Sequence, residues 1–111
     1  MKFTVNRSTW LRGDQGGSFL LRKADGKMCC LGFLALACGA TTTDINGRRS
    51  PENASGGWQW PDGLINVNGG DTHECRNIVN VNDANTSDDA EKEMHLTQQF
   101  KALGIEVTFE D

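Results

Sequence analysis

The sequence contains no tyrosine, only two prolines and no apolar run long enough to cross a bilayer. The longest such run, from Met28 to Ala40, falls short of the ~20 residues a spanning helix needs, so no membrane span is predicted. Its opening, Met1-Lys2-Phe3-Thr4-Val5-Asn6-Arg7-Ser8, has neither the apolar stretch nor the small-residue cleavage site of a secretory signal. The expectation is a soluble cytoplasmic protein with reduced thiols. Hydrophobic residues other than glycine make up 37% of the chain, and a small core is predicted.

Several chemistries are missing from the pattern. There is no C-x-x-C, and adjacent Cys29 and Cys30 cannot easily aim both sulfurs at one ion, so no metal site is expected. His73 is followed directly by Glu74, which departs from the H-x-E and P-C-x-x-C signature of the zinc deaminases. Gly13-Asp14-Gln15-Gly16-Gly17 is rich in glycine but matches neither phosphate-binding motif. No cofactor is implied.

What the chain has is glycine, at thirteen positions, together with three tryptophans and five phenylalanines that are expected to fill much of the core. The length of 111 residues predicts a single domain spanning 1–111. A long irregular segment is expected at about 41–70, where Asn46-Gly47, Gly56-Gly57, Asp62-Gly63 and Asn68-Gly69-Gly70 all signal turns. The fold class predicted is α+β. A small antiparallel sheet is packed by a buried central helix at about 30–38 and a C-terminal helix at about 88–103.

The elements follow from local pattern. Phe3-Thr4-Val5 and Ser18-Phe19-Leu20-Leu21-Arg22 read as short strands, with Asp25-Gly26 turning Lys27-Met28-Cys29 back on the second. Gly39 is the natural C′ residue of the central helix. Gly32, in its first turn, points to a close packing contact or to a later helix start. Residues 75–83 are too short to be divided between strand and helix. Ser87 is a natural N-cap for the last helix. Ala90, Met94, Phe100 and Leu103 are expected on its core face. Ile105 to Phe109 alternates as a half-buried strand that pairs with Phe3-Thr4-Val5.

Charge is divided along the chain. Residues 1–49 carry eight cations against three carboxylates, and residues 71–111 carry three against ten. The two halves are expected to complement one another inside the molecule. The sharper alternative is an acidic face for a basic partner, formed by Asp88, Asp89 and Glu91, or a basic face for an anion. In the anion reading Arg7, Arg12 and Arg22 surround Trp10 and hold a small ligand or nucleotide. Direct nucleic-acid binding is not expected, because net charge is −4 and a phosphate-tracking groove needs the opposite sign.

Three of the four cysteines lie between Lys27 and Gly39. They can pack as small apolar side chains. Alternatively, Cys29 or Cys30 at a helix N-terminus can act as a nucleophile, with His73 or His95 as base and Asn82 or Asp83 as orienting group.

The ordered set Trp10-Leu11-Arg12-Gly13, Leu20-Leu21-Arg22, Gly26-Lys27-Met28-Cys29-Cys30-Leu31-Gly32, Val81-Asn82-Asp83 and Gly104-Ile105-Glu106-Val107-Thr108-Phe109 resembles a group of small uncharacterised phage and prophage proteins. That resemblance implies a phage-encoded protein working in the bacterial cytoplasm, and no catalytic residue carries over. The function expected is a non-enzymatic accessory protein of anti-defence type that binds and inhibits a host macromolecule. Trp58 and Trp60 are its anchors, because tryptophan is enriched at binding hot spots. The alternatives are the nucleotide binder and a thiol-dependent enzyme.

Overall fold

The computed structural model describes residues 1–13, 18–84 and 88–111. Strand β1 (Lys2–Asn6) pairs with strand β2 (Glu106–Glu110), so the chain closes on itself as the alternation at its two ends predicts. The direction differs from expectation. The two strands run parallel, with Phe3 opposite Val107 and Val5 opposite Phe109. Alternation fixes which side chains face inward but is the same for either strand direction, so the pattern carries no directional signal. The parallel pair needs a crossover, and the rest of the domain supplies it.

Among the described residues the sheet has only these two strands, which further corrects the predicted antiparallel sheet. Ser18–Arg22 and Lys27–Cys29 do not join it. Their amides are directed to several different segments. Leu20 N–H donates to Arg48, Arg22 N–H to Lys27, Met28 N–H to Thr9 and Cys29 N–H to Phe19. What remains of strand pairing here is two isolated bridges, Trp10 with Met28 and Leu21 with Asn46.

Helix α1 (Cys30–Ala37) is the buried central helix, and Gly39 follows it at φ 101°. It packs on β1. Gly32 is there because nothing larger fits: a Cβ at that position would lie 1.9 Å from the carbonyl oxygen of Leu20. Helix α2 (Thr42–Ile45) is one turn closed by a capping box between Thr41 and Asp44. The remainder of 46–70 is turns and a 3₁₀ turn at Pro51–Asn53, tied to the core by Ile45, Pro51, Ala54 and Leu64.

Helix α3 (His73–Asp83) resolves the ambiguous segment as helix. Thr72 caps it by accepting the Cys75 amide, and Cys75, Ile78 and Asn82 form its buried stripe. Helix α4 (Asp89–Ala102) is capped by Asp88, whose side chain accepts the Glu91 amide. The predicted cap Ser87, like residues 14–17 of the glycine-rich loop, lies outside the described residues. The core face of α4 is Lys92, Leu96 and Phe100, whereas Met94 is 51% exposed. Phe100 meets Phe3 edge-on at 5.1 Å between ring centroids, which joins α4 to the sheet. Among the described residues no helix is long and apolar enough to cross a membrane.

Candidate functional site

The most heavily bonded side chain in the interior is Asn82, in the last turn of α3. It is 1% exposed. Its Oδ1 accepts the Trp10 indole N–H at 2.8 Å and the Cys30 amide at 3.1 Å. Its Nδ2 donates to the Leu11 carbonyl and to Asp83 Oδ1, both at 3.0 Å. Its backbone oxygen accepts from Gly13 N–H and from Lys92 Nζ. Cys29 occupies the N-cap position of α1 and provides no side-chain cap. Asn82 therefore serves as the cap from a distant helix. Three of the sequence marks noted above, Trp10-Leu11, Cys29-Cys30 and Asn82-Asp83, meet at this one amide.

Burial shifts the titratable groups around Asn82 toward their neutral forms. Burial pushes the Cys29 thiol up to about 11, against the opposing pull of the Gly32 and Leu31 amides at the start of α1. Cys30 is raised by burial and then by Cys29 and Asp83, and burial takes Cys75 up to about 12. Desolvation outweighs the helix N-terminus here, so these thiols are protonated at neutral pH and are poor nucleophiles. Burial also raises the Asp83 carboxyl and lowers the Lys92 ammonium. Lys92 is only 3% exposed and donates to the Asn82 and Ala84 carbonyls at 3.1 and 2.6 Å. The Ser18 hydroxyl favours the ionised forms of Cys29 and Asp83 from nearby, without a close hydrogen bond to either. His73 and His95 are exposed on α3 and α4, and His95 faces Glu91 at 3.5 Å.

Of the expected anion site the structure brings Arg7, Trp10 and Arg12 together, with Arg12 Nη1 donating to the Arg7 carbonyl at 3.2 Å, and Arg22 pairs elsewhere. Arg7 Nε and Nη2 each donate to the Glu93 carboxylate at 2.8 Å, and Nη1 donates to Asp111 at 3.1 Å. The Glu93 bonds hold the Arg7 guanidinium charged more firmly still. Arg12 Nε donates to Asp89 at 3.0 Å while its guanidinium lies 4.6 Å from the Trp10 ring centroid. Arg22 pairs with Asp25, whose carboxyl that bond lowers to about 2. Trp10 itself is buried, with its ring against Phe109. Intramolecular complementarity between the basic and acidic halves thus takes up Arg7 and Arg12.

Of the predicted partner-binding residues, Trp58 and Trp60 are brought together edge-to-face at 4.8 Å. Both are half-buried against the core. The Trp60 indole donates to the Ala54 carbonyl at 3.3 Å, and the Trp58 indole N–H is buried without an acceptor. Asp88, Asp89 and Glu91 are exposed at the start of α4, with Asp89 paired to Arg12.

The sequence reading did not single out Lys92, nor Asn82 as a structural centre. A signal for Lys92 existed, because Leu96 and Phe100 define an i, i+4 stripe that runs back to it. Nothing local signals Asn82, whose partners come from residues 10–13 and 30. Among the described residues no group of three ligating side chains could hold a metal ion. No protein-family model, curated protein or solved structure matches this chain.

Proposed function

We propose that the protein works by binding rather than by catalysis, as a phage-type accessory protein that engages and inhibits a host macromolecule. The observation that carries this reading is the Trp58–Trp60 pair, two large half-exposed aromatic rings locked edge-to-face on the irregular 41–70 segment. Rigid aromatic surface of this kind contributes contact area at low entropic cost. The buried, protonated thiols support the non-enzymatic half of the reading, since desolvation leaves Cys29 and Cys75 unactivated. The acidic start of α4, at Asp88, Asp89 and Glu91, favours a partner with a basic surface.

The test is capture of partners from bacterial cytosol by wild type, by a Trp58→Phe/Trp60→Phe variant and by Glu91→Lys, each first checked for cooperative unfolding. The expected result is one stoichiometric partner held by wild type and bound at least tenfold more weakly by the tryptophan variant. Capture of nothing, or identical capture by all three proteins, overturns the reading.

A further inference from the structure

The segments 19–27 and 46–49 are separated in sequence by α1 and α2, yet they form one edge of the molecule. Leu20 N–H donates to Arg48 O at 2.7 Å and Gly47 N–H to Leu21 O at 2.8 Å. The Lys23 stem lies over Gly47, where a Cβ would come within 2.6 Å of Lys23 Cε. The Arg49 guanidinium sits over the Phe19 ring, 4.5 Å from its centroid. Lys23, Arg48 and Arg49 are exposed, and Lys27 is half-buried beside them in the same turn. None of these four cations has an ion-pair partner within 4.0 Å among the described residues. The chain is acidic as a whole, so this is a local concentration of positive charge, beside the Arg22-paired carboxylate of Asp25, on a molecule of net charge −4.

Two clefts flank Lys23. One, of 380 Å³, is lined by Phe19, Arg22, Lys23, Ala24 and Gly47. The other, of 180 Å³, is lined by Leu21, Lys23, Thr42, Thr43 and Asn46 among others. Both are large beside the roughly 30 Å³ share of a water molecule in the liquid. Each combines apolar surface with a cationic rim. That alternation suits a polymer in which a flat ring follows an anionic group.

We propose that this edge binds single-stranded nucleic acid, with Lys23, Lys27, Arg48 and Arg49 on phosphates and bases entering the clefts beside Lys23. A carboxylate-rich peptide would neutralise the cations but leave the apolar surface of both clefts unused. A duplex keeps its bases stacked away from them. The guanidinium over Phe19 adds a planar surface on which a base can stack. The acidic remainder of the molecule repels a polyanion and so directs its approach to this edge. Neither Trp58 nor Trp60 lines these clefts, and the proposal stands independently of the partner reading above.

The test is fluorescence polarisation of the full chain with labelled single-stranded DNA and RNA decamers across a salt series. The expected slope of log affinity against log salt is about −2 to −3, from about −0.7 for each phosphate neutralised. Arg48→Ala/Arg49→Ala, at two exposed positions, is expected to weaken binding at least tenfold, and Lys101→Ala to leave it unchanged. A urea transition on each variant confirms that the fold is intact. Absence of binding, equal displacement by polyglutamate, or wild-type affinity in the double variant overturns the proposal.

Discussion

Asn82 Oδ1 receives the Trp10 indole N–H and the Cys30 amide together, at 2.8 and 3.1 Å. One carbonyl oxygen thereby seats a buried tryptophan and caps the central helix. Asn82→Ala leaves both donors, and the Leu11 carbonyl, without these partners in a buried site. The expected cost is about 4 kcal/mol, at about 1–3 kcal/mol for each orphaned group. Urea unfolding measures it. A loss below about 1 kcal/mol would mean that water or a rotated neighbour replaces the amide.

Gly32 offers a second test of packing. Gly32→Ala drives a Cβ to 1.9 Å from the Leu20 carbonyl oxygen and 2.9 Å from Met28 Cβ. The expected loss is more than about 3 kcal/mol, at or beyond the upper end of ordinary overpacking. Gly26→Ala is the contrast. It meets nothing within 4 Å but carries φ +73°, so only the left-handed penalty of about 1–2 kcal/mol applies. Equal melting temperatures for the two variants would contradict the close approach of α1 to Leu20.

The thiols predict alkaline lability. Cys29 and Cys75 are raised by burial from the usual 9.0 to about 11 and about 12. Below pH 9 both are protonated whether the chain is folded or not, and they contribute no pH dependence. Above pH 9 the unfolded chain releases these protons and the folded chain keeps them. Stability therefore falls as pH rises, by about 1.4 kcal/mol per pH unit for each thiol. Urea midpoints between pH 8 and pH 10.5 should show this, with a shallower slope in Cys75→Ala. A profile unchanged by that substitution would place Cys75 in contact with solvent.

Trp58 and Trp60 should respond differently to the loss of their N–H groups. Trp58→Phe deletes a buried donor that has no acceptor, so removal of that N–H relieves a penalty and offsets part of the lost ring area. Trp60→Phe breaks the bond to the Ala54 carbonyl and should cost about 0.5–1.5 kcal/mol beyond that area. The difference in thermal midpoint between the two variants reads this directly. Greater damage from Trp58→Phe would indicate an acceptor for its indole.

What was legible in the sequence follows the range over which each signal acts. The central helix and its glycine stop are local patterns, and the structure has α1 at Cys30–Ala37 followed by Gly39. The last helix was legible for the same reason, because its apolar spacing lies within one segment. Its core face was misread, since Met94 is more hydrophobic than Lys92 yet stands outside the Leu96–Phe100 stripe. The strand direction was not legible, because Phe3 and Val5 alternate identically in parallel and antiparallel pairs. The middle of the chain was harder. The amides of Leu20, Arg22, Met28 and Cys29 are satisfied by Arg48, Lys27, Thr9 and Phe19, and no run of sequence announces such scattered partners. The basic edge was invisible for the same reason, since Lys23 and Arg48 meet only after α1 and α2 have folded between them.

The pairing of Lys2 with Glu106 has a kinetic consequence. Phe3 and Val5 are synthesised well before residues 106–110, so β1 has no ladder until that later segment arrives. Contacts of such sequence separation slow folding, because nearly the whole chain must be ordered before they form. The sheet is therefore a latch that closes on a largely assembled body of helices, and refolding should be limited by that closure. Until then the apolar face of β1 is open to whatever the cell offers it.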